Sequence, residues 1–266
     1  MGVLLQRLFP SIALTLSLCA LATPRAAGAA TRRPRFEPTD LETADPGAIE
    51  VDVEAGAIRS QSETSIAAPD VEIDVGVTDN VELDIDGALT ISGLDGPAPS
   101  PALGADALWT GLKVGLMGDS DTRTGSHWGL GFQVGPRIAL VTHSQEVGAE
   151  GLILFARGGR RWGLATNLGA YAEPRLSGAT QVDRGVLFGL DGHYQIRPAL
   201  SAEFELFAVL TSGVAQHQLG TSAMLAWQCS PAVSLSARAL GGWLGAGLAY
   251  GLLFGVSFTV QAWSGQ

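Results

Sequence analysis

The chain has 266 residues, 46% of them hydrophobic and 16% charged, and its 26 acidic side chains outnumber its 16 basic ones. That balance excludes a nucleic-acid binder held by a general basic surface, because phosphate recognition depends on clustered Lys and Arg. With 35 glycines, and charge far below that of an ordinary soluble domain, the chain is neither a disordered acidic polymer nor an average cytosolic enzyme.

The first residues concern export. Arg7 supplies a positive start, Leu8 to Ala22 an apolar run interrupted by Pro10, and Ala20 to Ala22 and Ala27 to Ala29 offer small-residue cleavage sites. The run is shorter than a spanning helix needs, so residues 1–29 are predicted to be a cleaved signal peptide. Leu18 precedes Cys19 where a lipidation signal wants a small residue. Cleavage after Ala29 leaves Cys229 as the sole cysteine, so no disulfide holds the exported protein together. Residues 30–46 lack periodicity and are predicted to form an extended periplasmic tail, ahead of a barrel over 47–266.

From Gly47 the dominant period is two. Ile49, Val51 and Val53 alternate with Glu50, Asp52 and Glu54; Val71, Ile73 and Val75 with Glu72 and Asp74; Val81, Leu83 and Ile85 with Glu82, Asp84 and Asp86. Each run is a strand with one apolar and one strongly polar face. Further alternating runs near 106–118, 127–137, 148–158, 161–173, 184–197, 199–211, 218–229, 233–243 and 251–263 bring the total to twelve. Prolines such as Pro46, Pro69, Pro198 and Pro231 are placed in turns or loops, and Pro136 and Pro174 at strand ends.

The links separate a soluble sandwich from a membrane barrel. Those after even-numbered strands are compact, at Thr78 to Asn80, Gly158 to Arg160, Arg197 to Ala199 and Ser230 to Ala232, with Asp119 to Ser126 longer. Those after odd strands include Ser60 to Asp70, Ser92 to Ala105, Ile138 to Val147 and Pro174 to Asp183. Short turns on one rim and long loops on the other are the asymmetry of an outer-membrane barrel with periplasmic termini. Trp128, Trp162, Tyr194 and Trp227 share the apolar parity and fall beside the short turns, as an interfacial aromatic girdle requires. The competing assignment is four core aromatics beneath a soluble barrel's turns. Ala239 to Phe258 carries no formal charge, but Leu252, Phe254, Val256, Phe258 and Val260 alternate with Leu253, Gly255, Ser257, Thr259 and Gln261, a strand period with a polar face, so two strands with a glycine-rich turn are predicted in place of a membrane helix.

The stretch Phe36 to Gly56, with Thr39, Asp40, Pro46 and Gly47, and the turn containing Gly76, Thr78 and Asp79, resembles exported outer-membrane proteins of the transporter family associated with the meta-pathway of phenol degradation. The resemblance covers residues 36–92, is a pattern match beyond, and rests on structural motifs. It implies an outer-membrane barrel passing small, including aromatic, solutes, and it carries over no substrate-binding residue.

The fold expected is therefore all-β: an antiparallel transmembrane β-barrel of about 12 strands preceded by a cleaved signal peptide. With its apolar parity facing lipid, Glu50, Asp52, Glu54, Glu72, Asp74, Glu82, Asp84 and Asp86 form an acidic wall in the lumen. Lys113, Arg137, Arg157, Arg197 and Arg238 are its expected basic partners, with Asp191, His193, Glu203 and Glu205 nearby. Such a wall is either wet and biased towards cations or locked by ion pairs, since unpaired buried carboxylates are costly. A solvated skirt outside the membrane is the plainer alternative.

The function expected is a passive outer-membrane channel or transporter for small solutes. A non-conducting adhesion barrel with binding loops, and a β domain tethered by a C-terminal helix, are the alternatives. The expected partners are outer-membrane lipid, a small solute and, during biogenesis, the barrel-assembly machinery, with no nucleic acid. No cofactor or metal is expected, because no Cys or His cluster has ligand spacing. The cluster His143, Ser144 and Glu146 is too ordinary for a polar loop to predict an enzyme.

Overall fold

The computed structural model describes residues 37–60, 63–95, 102–105, 108–121, 126–138, 147–175, 181–212, 217–244 and 247–263. The predicted signal peptide, residues 30–36 of the tail and the cluster at His143, Ser144 and Glu146 lie outside them.

Thirteen strands follow one another: β1 (Ala48–Ser60), β2 (Thr64–Thr78), β3 (Val81–Ser92), β4 (Ala102–Ala105), β5 (Leu108–Asp121), β6 (Ser126–Ile138), β7 (Val147–Gly159), β8 (Trp162–Arg175), β9 (Gln181–Arg197), β10 (Leu200–Ser212), β11 (Gln218–Ser230), β12 (Val233–Leu244) and β13 (Leu248–Gln261). Every neighbouring pair is antiparallel, and β13 pairs back onto β1 from Ala48 opposite Gln261 to Ser60 opposite Ala249. The short β4 pairs with Leu89–Ser92 of β3, beyond the stretch Val81–Asp86 where β3 pairs with β5. Twelve strands therefore form the closed ring, and β4 caps one edge. Closure gives each of the twelve ring strands a partner on both sides, which is the condition for crossing a bilayer with strands. No helix occurs among the described residues, and Ala239 to Phe258 is divided between β12 and β13.

Several links are shorter than the sequence suggests. Ser60 to Asp70 is mostly strand, because β1 runs to Ser60 and β2 begins at Thr64. Likewise β5 and β6 reach Asp121 and Ser126. Pro69 thus lies inside β2, where the β2–β3 pairing shifts register between Ala67 and Asp70. An irregularity of that kind tolerates a residue without an N–H.

Alternation sorts the side chains by face. Outward positions carry Leu168, Phe188, Phe204, Leu225, Leu252 and Phe254, between 40% and 63% exposed. A continuous apolar surface of this kind on a closed barrel is suited to lipid. Inward, the wall changes character along its length. On β10 the order from the short turn is Glu203, Glu205, Phe207, Val209; on β12 it is Arg238, Leu240, Leu244; on β1 it is Glu50, Asp52, Glu54, Ile58. Near the longer links the interior is accordingly filled by an apolar cluster of Ile58, Leu154, Tyr171, Leu187, Phe207, Val209, Leu240 and Leu253. Phe207, Leu187 and Leu154 there are 1%, 0% and 0% exposed, so this layer is packed.

Residues 37–46 correct the expectation of a tail lying outside the barrel. The turn at Pro46 and Gly47 sends the chain preceding β1 back inside it, where Glu37 to Asp40 and Glu42 to Ala44 line the same cavity as the acidic wall. Gly47 has φ of +82°, a conformation that L side chains rarely adopt, and its N–H donates to Gly76 O at 2.8 Å. An extended polar segment can remain inside only where its backbone groups find partners, and the lumen wall supplies them.

Candidate functional site

The site begins with the residues that hold this inserted segment. Asn167, fully buried on β8, accepts the Thr39 N–H at 2.8 Å and donates from Nδ2 to Thr39 O at 2.7 Å, as a neighbouring strand would. Glu37 meets Arg238 at 3.1 Å, and Thr43 Oγ1 donates to Asp79 O at 3.2 Å. The Ala44 N–H donates to Glu82. Leu41 rests on Gly129 and Gly131 of β6, where an added Cβ would collide with its methyl groups. Gly76 leaves similar room for the backbone of Ala44 and Asp45.

Around the segment lies a cavity of about 500 Å³. All eight carboxylates of the predicted wall line it, from Glu50, Asp52 and Glu54 on β1, through Glu72 and Asp74 on β2, to Glu82, Asp84 and Asp86 on β3. They share one face because β1, β2 and β3 are paired in register, Glu50 opposite Asp74 and Asp74 opposite Asp84. Asp191, Glu203 and Glu205 join from β9 and β10. Among the described residues the cavity is lined by sixteen carboxylate residues but only by Lys113, Arg137 and Arg238 as cations.

Those three cations bind the wall in separate places. Lys113 Nζ lies 2.6 Å from Glu82 and 3.9 Å from Asp40. Arg137 meets Glu150 at 3.0 Å and Glu173 at 3.5 Å. Arg238 is shared by Glu37, Glu54 and Glu205 at 3.1, 3.4 and 3.4 Å. Neutral donors complete other contacts, with Gln133 donating to Asp84, Ser257 to Asp52 and Ser222 to Glu205.

Two predicted basic partners are placed elsewhere. Arg157 stands opposite Trp128 and Leu164, on the outward parity at the short-turn rim, so its side chain belongs to the outer face. There a guanidinium at the edge of an apolar belt can reach water by extending past it. Arg197 is exposed at the last residue of β9, beside the turn to β10. The aromatic residues Trp128, Trp162, Tyr194 and Trp227 are outward and 41%, 45%, 51% and 56% exposed, and Trp162 stands opposite Tyr194 near the short turns.

Asn167, Gln133, the inward Trp109 and the apolar layer were not singled out by sequence reasoning. Asn167 had a usable signal, an isolated amide at inward parity between Ala165 and Gly169. The inserted segment had none, because its partners in the barrel lie 36 to 201 residues away along the chain, from Asp79 for Thr43 to Arg238 for Glu37.

The sequence matches no protein-family model and no curated protein. In fold it is similar to an outer membrane channel from Pseudomonas putida F1, with 12% identity and a TM-score of 0.59 over 85% of this chain and 100% of that one. It is likewise similar to the NanC porin, with 8% identity and a TM-score of 0.58 over 78% of this chain and 98% of that one. At such identities the likeness is one of fold, a closed antiparallel barrel of the outer-membrane type.

Proposed function

We propose that this protein is an outer-membrane channel for small solutes, with a lumen that favours cations and an inserted N-terminal segment that narrows it. The observation that carries the reading is the charged cavity inside a closed barrel, with sixteen carboxylate residues against three cations among its lining. Water and mobile cations stabilise such a surface far better than an apolar medium could. The outward apolar belt and the rim aromatics support residence in a bilayer. The fold it shares with an outer membrane channel and a porin supports transport in place of catalysis. Aromatic solutes remain the class that the resemblance of residues 36–92 implies, and the apolar layer around Phe207 and Leu187 offers them a compatible surface. That layer narrows the lumen near the longer links.

Conductance in a planar bilayer under a salt gradient tests the proposal. Discrete, cation-selective steps are expected, with selectivity falling when Asp52, Asp74 and Asp84 are changed together to Asn. A folded, inserted barrel that never conducts, even without residues 37–44, would overturn the channel reading in favour of a closed barrel that works through its loops.

A further inference from the structure

We propose that Asp191, Glu203 and Glu205 bind a divalent hard cation, calcium foremost, inside the barrel. Asp191 faces inward from β9, directly opposite Glu205 of β10, and Glu203 follows on the same face two residues along. One oxygen from each lies within 4.8 Å of the others. Oxygens around a single calcium ion, bonded at about 2.3–2.6 Å, span at most about 5 Å, so the three fit one ion without rearrangement of the sheet.

A second observation points the same way. Asp191 is only 5% exposed, yet its Oδ1 has no hydrogen-bond partner among the described residues. A buried carboxylate oxygen left in that state is costly unless something neutralises it. Arg238 reaches this triad only through Glu205, at 3.4 Å, and is shared with Glu37 and Glu54. The other luminal triad, Asp74, Glu82 and Asp84, differs here. Lys113 lies 2.6 Å from Glu82, the Ala44 N–H takes its second oxygen, and Gln133 donates to Asp84. Each triad thus carries one cation of the chain, but Lys113 sits 2.6 Å from Glu82, whereas Arg238 reaches Glu205 at 3.4 Å and is shared with Glu37 and Glu54, so the Asp191 triad keeps the larger unmet charge although Asp84 Oδ1 also lacks a hydrogen-bond partner. Carboxylate oxygens with room for water suit calcium or magnesium, and the span favours the larger ion. The ligands come from two strands paired in register, so no short sequence motif announces them.

Equilibrium dialysis of the refolded, chelator-stripped barrel against calcium, at neutral pH and about 0.1 M salt to screen diffuse attraction, tests the site. One saturable ion per chain is expected, with affinity falling about tenfold or more in Glu203→Gln and in Asp191→Asn and little in Asp84→Asn. The neutral variants keep their shape, and a heat-dependent shift in gel mobility checks that each has folded. Calcium should also raise the unfolding midpoint of the wild type and leave that of Glu203→Gln unmoved. Absence of saturable binding in the wild type, or equal weakening by Asp84→Asn and Glu203→Gln, would overturn the proposal, the latter marking diffuse attraction or shared protons in its place. Dialysis reads occupancy alone, so this outcome is independent of whether the barrel conducts.

Discussion

Arg238 concentrates more of the site's electrostatics than any other cation in the lumen, holding Glu37 of the inserted segment, Glu54 of β1 and Glu205 of β10 while itself only 13% exposed. Removing one partner from a buried ion pair costs about 3–5 kcal/mol, and solvent inside the lumen brings that to the lower figure or somewhat below it. Arg238→Gln is therefore expected to destabilise the refolded barrel by about 2–3 kcal/mol in urea titrations, and adding Glu37→Gln should recover part of the loss. A single variant as stable as the wild type would mean that the three carboxylates are neutralised without it. Lys113, Arg137 and Arg238 were legible from parity alone. Arg157 was not, because β7 reads Leu152, Ile153, Leu154, Phe155 and both of its faces are apolar. The packed inner layer erases the alternation on which parity depends.

The inserted segment is the element on which conduction should turn. Its seat is specific, two hydrogen bonds from Asn167 to Thr39 and the contact of Leu41 with Gly129 and Gly131. Gly131→Val fills that seat, and Asn167→Ala removes two hydrogen bonds worth about 1 kcal/mol each. Both changes are expected to expose residues 37–46 to protease in the folded protein and to raise the open fraction of the channel. Unchanged cleavage and unchanged conductance in both would show that the segment is held by the surrounding charges alone. Glycine and asparagine in a strand pattern suggest curvature or a bulge when read in sequence. Only the approach of a distant segment reveals them as a socket.

At the scale of the whole molecule the two faces of the barrel predict a partition of its tryptophans. Of the six tryptophans, Trp128, Trp162, Trp227 and Trp243 are outward and 41% to 56% exposed, Trp263 follows β13 at 42%, and Trp109 points inward at 9%. In vesicles of brominated lipid, fluorescence from the four outward residues should be quenched, and a variant retaining only Trp109 should keep its intensity. The unboiled protein should also migrate differently from the boiled one, as closed barrels of this kind resist detergent until heated. Quenching of the Trp109-only variant to the same extent would contradict the assignment of faces.

The sequence by itself determined the class of fold, the number of barrel strands, the apolar outer face and the acidity of one wall. Those follow from a period of two, which each strand carries locally and which neighbours in register simply repeat. The tertiary structure decided what occupies the interior. The return of residues 37–46 into the lumen, the apolar layer near the longer links and the meeting of Asp191 with Glu203 and Glu205 all depend on closure, which brings residues remote in sequence to a common axis. Periodicity names the face a side chain points to; only the closed ring decides what it meets there.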